Sequence, residues 1–272
     1  MQCILSALKA ESDPLINFFK LKKDDSYSFP FYKKNDLCLI GIGVGKNKIE
    51  KRIFTFLNDY NSRSLQFINI GIAGGKINNS EKGEIYLINK IKDENSNENY
   101  FPDLIVNSKL LEHSTITVDK AIVDGGGDYN CLVDMEASEI YKVCLKRVLV
   151  HQISFLKIVS DYMDEDVTSI SKNKINSLIN EKLPEIDTFL KKYKNLQEFK
   201  SSILGNVDLV WIRRARSELN LTETQYHQLL SFSRGYRLKN PNKKFEDNMI
   251  LKVYSKTERN KNFKNICEIL SA

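Results

Sequence analysis

The chain has 272 residues, a net charge of +6 and 42% hydrophobic residues, enough for one large α/β domain or for one domain with an extension. No apolar run approaches the roughly 18 residues of a membrane span, and the apolar residues 1–7 lack the basic lead of a secretion signal. The composition therefore argues against a membrane protein and predicts a protein of the cytoplasm.

Cysteine and histidine give little basis for a metal or redox centre. The five cysteines are odd in number and form no close pair, so we expect reduced, structural thiols. The three histidines are scattered along the chain, which argues against a histidine metal site. We therefore expect no metal and no cofactor, and acid–base chemistry would depend on carboxylates.

The first segment is typical of a strand followed by a helix. Residues 3–7 form a short apolar run, and residues 12–14 (Ser-Asp-Pro) supply a cap and a first-turn proline for a helix through residues 15–19. Glu11 then falls in the strand-to-helix turn. That position suits a catalytic base, but taken alone it favours an ordinary solvated carboxylate.

Two glycine-rich stretches follow. Residues 37–42 form an apolar strand that leads through residues 43–46 (Gly-Val-Gly-Lys) to a predicted helix over residues 49–57. Such a turn can bring a ligand to backbone amides, but this one is too short and too common to identify a phosphate loop. Residues 67–70 form the next strand and run into residues 71–75 (Gly-Ile-Ala-Gly-Gly), which indicate either backbone close to a ligand or a strained turn.

The middle of the chain continues the alternation. The pattern predicts a strand over residues 82–88 and an exposed loop over residues 93–101. It predicts two further strands, over residues 116–118 and 121–123, before a flexible connection at residues 124–129. Because strands alternate with helices along the chain, we expect a largely parallel or mixed sheet covered by helices on both faces.

Two acidic stretches are the strongest candidates for a functional site. Residues 133–138 place Glu136 between an apolar run and an amphipathic helix, and Ser160 and Asp161 end a buried strand at residues 155–159. Ligands of open α/β sheets bind beyond the carboxyl ends of the strands, so Asp161 would be held where a substrate can reach it. Taken alone, Glu136 and Asp161 are equally well explained as a helix N-terminal charge and a helix cap.

The last third of the chain differs from the rest in pattern and charge. We place a domain boundary after residue 184, because residues 185–272 show only helical patterns. The predicted helices are residues 186–193, 210–219, 222–232 and 263–270. This region carries 17 Lys and Arg against 10 Asp and Glu, whereas residues 1–184 carry 24 against 25. Thr222 and Gln225, three positions apart, predict a capping box.

This basic extension admits three roles. A helix-turn-helix pair over residues 211–230 would let three arginines face a phosphate backbone, which makes nucleic acid one partner to consider. The arginines are Arg213, Arg214 and Arg216. The same arginines are also typical of a solvated helix face. In the third role, which we favour, the apolar residues of the extension cover a core face or form contacts in a homo-oligomer.

Six stretches of the chain together resemble the nucleoside phosphorylase superfamily in order and spacing. They are residues 3–11, 43–46, 69–75, 83–85, 133–137 and 159–161. The resemblance is strongest to the 5'-methylthioadenosine/S-adenosylhomocysteine nucleosidases and covers residues 1–182. It implies a three-layer α/β fold in which helices flank a central mixed sheet. Residues 185–272 would add an α-helical C-terminal extension that typical members lack.

The resemblance also implies a role for each matching residue. Asp161 matches the family's general acid at the purine N7, and the Ser160 hydroxyl lies where it can orient that acid. Glu136 and Met135 match the residues that hold the ribose, with Glu136 stabilising an oxocarbenium-like transition state. Glu11 matches the carboxylate that activates the attacking water in the hydrolases.

Two departures from the family pattern bear on the reaction. Ile72 replaces a hydroxyl side chain that binds phosphate in the phosphorylases, and no Gly-Asp-Pro with a following arginine appears near the N-terminus. We therefore expect hydrolysis rather than phosphorolysis, with Ile72 and Gly75 beside the substrate. Residues 118–132 are also shorter than the family stretch that carries the aromatic residue stacked on the purine. Tyr129 either replaces that aromatic or lies in a surface turn.

The sequence thus predicts a purine nucleosidase that hydrolyses the N-glycosidic bond of an adenosine-type nucleoside. 5'-Methylthioadenosine and S-adenosylhomocysteine are the expected substrate types, and the residues around the 5' group are not assigned. A purine nucleoside phosphorylase is one alternative. The other is a non-catalytic module that binds nucleosides or nucleic acid.

Overall fold

The computed structural model describes residues 1–44, 46–60, 65–164, 171–251 and 253–271. It divides the chain into two compact units, Met1–Lys194 and Asn195–Ala272. The division comes later than the boundary placed after residue 184, because the helix Leu183–Ser202 is continuous and packs residues as far as Tyr193 into the core of the first unit.

Ten strands among the described residues form one mixed sheet in the first unit. They are β1 (Gln2–Ser6), β2 (Lys22–Lys23), β3 (Phe31–Lys34), β4 (Leu37–Gly41), β5 (Gln66–Gly74), β6 (Ile85–Asp93), β7 (Asn99–Tyr100), β8 (Leu111–Thr117), β9 (Leu132–Asp134) and β10 (Ile153–Asp161). Strands β5, β10, β6, β8 and β9 pair in that order, and β9 returns to β5 through Val133 and Gly74. Strands β1, β4, β3 and β2 extend the sheet from β5.

Helices cover both faces of this sheet. They are α1 (Lys9–Phe19), α2 (Ile49–Asp59), α3 (Ala137–Leu145), α4 (Lys172–Glu181) and α5 (Leu183–Ser202). α2 and α3 pack with Phe67 and Phe155 in one apolar cluster, whereas α1, α4 and α5 pack with Ile68 and Leu156 in another. Neighbouring residues of β5 and β10 thus enter opposite layers, as strands buried on both faces require. The predicted three-layer fold with a mixed sheet is confirmed.

The first helix begins earlier than predicted. α1 starts at Lys9 with Leu8 as its N-cap, so Ser12 is not the cap and Pro14 lies inside the helix. The physical reason is Glu11, whose carboxylate accepts hydrogen bonds from the amides of the two residues before the helix. Glu11 therefore lies in the first helical turn and not in the connection before it.

Two other local predictions are wrong, and one strand is longer than predicted. The glycine-rich residues 71–74 continue β5 and form no separate turn, because each of them pairs with β10. Asp93 is the buried last residue of β6, and Asn99–Tyr100 form β7, which pairs back onto β6, so the predicted exposed loop is shorter than expected. Residues 121–123 form no strand. Gly45 lies outside the described residues, but the helix predicted after it is present as α2.

The second unit contains helices around a core of its own. They are α6 (Asn206–Glu218), α7 (Glu223–Lys239) and α8 (Lys256–Ser271). Trp211 stacks on Phe245 in that core. The predicted capping box is confirmed, since the Thr222 hydroxyl accepts a hydrogen bond from the Gln225 amide at 3.3 Å. In the described parts of both units, every helix is too short or too polar to cross a membrane.

The three arginines of α6 have partners within the second unit. Arg214 donates to Glu218 and Arg216 to Glu223, each at 2.6 Å, and Arg213 donates to a backbone oxygen one turn earlier. Such pairs are typical of a solvated helix face. Nucleic-acid binding by this unit stays a prediction.

Candidate active site

An open cavity lies at the carboxyl ends of β1, β5 and β10. These strands run parallel to one another, so their carboxyl ends meet at the same edge of the sheet. The polar side chains that line the cavity are Glu11, Asp134, Glu136, Ser160 and Asp161. The other described lining residues are apolar.

The cavity brings together most of the residues singled out in the sequence. Of the eight predicted site residues, six line it, although they come from distant parts of the chain. They are Glu11, Ile72, Met135, Glu136, Ser160 and Asp161. Gly75 and Tyr129 are not among the described lining residues.

Glu11 is held in one orientation by four donors. Its Oε2 accepts hydrogen bonds from the Ala7 amide at 3.0 Å, the Leu8 amide at 2.8 Å and the Ser6 hydroxyl at 3.2 Å. Its Oε1 accepts from the Ile72 amide at 2.8 Å. The side chain has room only because residue 71 of β5 is glycine, since a Cβ there would lie 2.8 Å from Oε1. Only 2% of Glu11 is exposed, yet the residue lines the cavity.

Asp161 is likewise engaged through both of its carboxylate oxygens. Oδ1 accepts a hydrogen bond from the Met163 amide at 2.7 Å, and Oδ2 accepts one from the Ser160 hydroxyl. The Ser160 hydroxyl also lies 3.3 Å from the carbonyl oxygen of Ala73 in β5. Asp161 is therefore fixed at the end of β10 with its carboxyl group at the cavity.

A buried cation lies behind these carboxylates. Lys157 in β10 is 1% exposed, and its Nζ lies 2.7 Å from Oδ2 of Asp134. Burial by itself lowers the pKa of Lys157, but Asp134, Glu136 and Glu11 outweigh that effect and hold the pKa above its usual value. Lys157 therefore stays charged. Sequence reasoning missed it, although a lysine within the otherwise apolar residues 155–159 was a signal.

A second buried carboxylate supports the start of α3. Asp93 accepts hydrogen bonds from the Ser138 hydroxyl at 2.6 Å, from Lys142 at 3.2 Å and from Lys46 at 3.3 Å. Burial by itself raises the pKa of Asp93, but the donors, with Ser138 first and then the Ser96 amide, hold it well below its usual range. Sequence reasoning missed this residue as well, because it falls at the start of a stretch predicted to be an exposed loop.

Gly75 and Tyr129 have other surroundings. The Gly75 amide donates to the carbonyl oxygen of Asp161 at 2.8 Å, and a Cβ at position 75 would lie 2.6 Å from Val159. The Tyr129 hydroxyl donates to Glu94, whose carboxylate raises the pKa of Tyr129 to about 12. No aromatic side chain is among the described residues that line the cavity. A stacking role for Tyr129 stays a prediction.

The lining suits acid–base chemistry on a small organic molecule. Carboxyl groups can act as general acid and general base, and they accept hydrogen bonds from sugar hydroxyls. Over the part of the chain that the structure describes, the lining contains no lysine or arginine. The same part holds no group of three His, Cys, Asp or Glu side chains placed to bind a metal ion.

The first unit has a fold that is also seen in solved nucleosidases. A Helicobacter pylori 5'-methylthioadenosine/S-adenosylhomocysteine nucleosidase is similar with a TM-score of 0.59 and 13% identity, over 70% of this chain and 97% of that one. A Chlamydia trachomatis nucleosidase of this kind, bound to 5'-methylthioadenosine, is similar with a TM-score of 0.53 and 21% identity. The similarity covers 69% of this chain and 98% of that one. A Helicobacter pylori futalosine hydrolase is similar with a TM-score of 0.58 and 13% identity, over 70% of this chain and 98% of that one. The sequence matches no protein-family model and no curated protein.

Proposed function

We propose that the chain is a purine nucleosidase that hydrolyses the N-glycosidic bond of an adenosine-type nucleoside such as 5'-methylthioadenosine. The observation that carries the proposal is the meeting of Glu11, Glu136 and Asp161 at one cavity, in a fold that nucleosidases share. In this reaction the oxygen of water bonds to C1' of the ribose, the bond between C1' and N9 of the purine breaks, and the free base leaves.

Asp161 is the general acid in this proposal. Its carboxyl proton passes to N7 of the purine while the bond to C1' breaks, so that the base leaves as a neutral molecule. The Ser160 hydroxyl and the Met163 amide hold the carboxyl group and limit its rotation. Holding the acid in this way reduces the entropy that must be lost when the proton is transferred.

Glu11 and Glu136 act at the sugar. Glu11 accepts a proton from the attacking water, and its four hydrogen-bond donors keep the carboxylate in place during the transfer. Glu136 accepts hydrogen bonds from the ribose hydroxyls, with Met135 beside the sugar, and its negative charge stabilises the oxocarbenium-like transition state. Lys157 balances the charge of these carboxylates from behind the cavity.

Two features support water rather than phosphate as the nucleophile. The Ile72 amide already donates to Glu11, and the Ile72 side chain carries no hydroxyl that could bind phosphate. The described lining also offers no lysine or arginine to neutralise a phosphate dianion, which would instead face several carboxylates.

The test is release of free base from a panel of nucleosides, each with and without phosphate. The panel contains 5'-methylthioadenosine, S-adenosylhomocysteine, 5'-deoxyadenosine, adenosine, inosine and guanosine. We expect phosphate-independent release of adenine, most rapidly from the 5'-modified adenosines. A strict phosphate requirement would establish a phosphorylase instead, and an inactive wild-type chain on all six nucleosides would contradict the proposal.

A further inference from the structure

Met163 has an unusual backbone conformation for its residue type. Its φ of 61° lies in the left-handed region, which residues other than glycine, asparagine and aspartate seldom adopt. The residue is 1% exposed and lines the cavity two positions after Asp161. Strain of this kind persists only where surrounding contacts enforce it, and it is found most often at functional sites.

Contacts on both sides of Met163 enforce this conformation. Its amide donates to Oδ1 of Asp161, and its carbonyl oxygen accepts from the Gly125 amide, each at 2.7 Å. Lys76 in turn donates to the carbonyl oxygens of Gly125 at 3.2 Å and Gly126 at 2.9 Å. Gly125 is thus bonded to the same residue whose amide donates to Asp161.

The side chain of Met163 lies between two glycines. A Cβ on Gly74 would lie 2.8 Å from Cγ of Met163, and a Cβ on Gly126 would lie 2.4 Å from its sulfur. Neither position therefore accepts a larger residue unless Met163 moves. Gly126 also has a φ of +55°, whereas Gly74 has no positive φ, so the requirement at Gly74 is steric alone.

We propose that Met163 is the positioning residue that decides which oxygen of Asp161 carries the transferable proton. This inference rests on the proposed function. A backbone amide can only donate, so the oxygen that faces it, Oδ1, must act as an acceptor. A neutral carboxyl group has one hydroxyl, and that hydroxyl is therefore on Oδ2, next to Ser160. Met163 fixes this arrangement because its packed side chain keeps the amide in place.

The test compares turnover of the active nucleoside by four proteins. They are the wild-type chain, Met163→Ala, Met163→Leu and Gly74→Ala. Met163→Ala removes the side chain that holds the amide, and we expect kcat to fall by about 10-fold or more with a much smaller change in KM. Met163→Leu keeps the volume and should retain kcat within about 3-fold. Gly74→Ala displaces Met163 from the other side and should lower kcat as Met163→Ala does.

The double variant Gly74→Ala with Met163→Ala makes the test specific. In the double variant the methyl group added at position 74 enters the space left by Cγ of Met163. The fold-decrease in kcat of the double variant should therefore be smaller than the product of the fold-decreases of the two single variants. Thermal unfolding of each variant shows which of them fold, and Gly74→Ala carries the test if Met163→Ala does not. Wild-type kcat in a folded Met163→Ala, or in Gly74→Ala, would overturn this inference and leave the proposed function intact. A wild-type chain that releases no base would overturn both.

Discussion

Lys157 and Asp134 form an ion pair in which Nζ and Oδ2 are 2.7 Å apart and both side chains are almost completely buried. The Asp134 carboxylate also accepts hydrogen bonds from the Ala137 amide at 2.9 Å and the Thr117 hydroxyl at 2.7 Å. The pair therefore anchors the start of α3, directly after Glu136. In such a pair each charge compensates the other, so loss of one partner costs far more than loss of both.

We expect Lys157→Met to lower the free energy of unfolding by about 3–5 kcal/mol, because Asp134 would remain as a buried carboxylate without a cation. Lys157→Met combined with Asp134→Asn is the matched control, and it should be less destabilised than Lys157→Met alone. Urea unfolding of the three proteins measures the difference. A Lys157→Met protein as stable as the wild type would show that the pair carries no such cost.

Gly71→Ala should impair catalysis through Glu11. The added Cβ would lie 2.8 Å from Oε1 of Glu11, so the carboxylate must move away from its donors. We expect kcat for base release to fall by about 10- to 100-fold, the usual cost of misplacing a reacting group. Gly235→Ala is the control, since among the described residues no atom beyond its chain neighbours and its own helix backbone lies within 4 Å of its Cβ position, and it should keep the wild-type rate. Equal rates for Gly71→Ala and Gly235→Ala would contradict the claim that a Cβ at position 71 displaces the Glu11 carboxylate.

Asp161→Asn should lower kcat by roughly 100-fold or more, because the amide has no acidic proton for the purine N7. Ser160→Ala keeps the carboxyl group but removes one of its donors, so we expect a smaller loss. Base release from the preferred nucleoside, measured under single-turnover conditions, separates the chemical step from product release. Full activity in Asp161→Asn would refute the assignment of the acid.

The lowered pKa of Asp93 predicts that the stability of the folded chain depends on pH in the acid range. Its pKa is lower in the folded chain than the ordinary value of about 3.9 expected after unfolding. The stabilisation is therefore complete above that value, and it is lost as pH falls from there toward the folded pKa. Denaturant unfolding between pH 2.5 and pH 7 should show wild-type stability falling below about pH 4. Asp93→Asn should be less stable at neutral pH and change less with acid, so parallel curves would contradict the prediction.

The sequence was sufficient to predict the site residues that lie at the ends of regular elements. Asp161 follows an apolar run, and β10 runs parallel to β5, so the topology of a parallel sheet predicts its place at the cavity. Glu136 also follows an apolar run, but β9 pairs antiparallel to β5, so its place at the cavity depends on the mixed sheet. Glu11 was identified by its family resemblance, while its local structure was predicted incorrectly. The error arose because residues 12–14 look like a helix start, whereas the Glu11 carboxylate accepts hydrogen bonds at a helix start four residues earlier, at Lys9.

The supporting residues could not be predicted, because each depends on partners far away in the sequence. Lys157 acquires its role from Asp134, and Asp93 acquires its role from Ser138 on α3. The conformation of Met163 depends on glycines in two other segments. In the sequence Asp93 and Met163 look ordinary, and Lys157 stands out only as a lysine within an apolar strand. The packed structure shows the neighbours that fix the charge state or the backbone of each residue.

The sheet of the first unit leaves little free edge for another chain to join. Five strands close on themselves, and the outermost of the described strands, β2 and β7, are two residues long. Both residues of β2 are exposed lysines, Lys22 and Lys23, whose charges oppose the approach of an identical edge. Growth of the sheet from one molecule to the next is therefore disfavoured. We therefore expect the first unit to resist aggregation by strand addition.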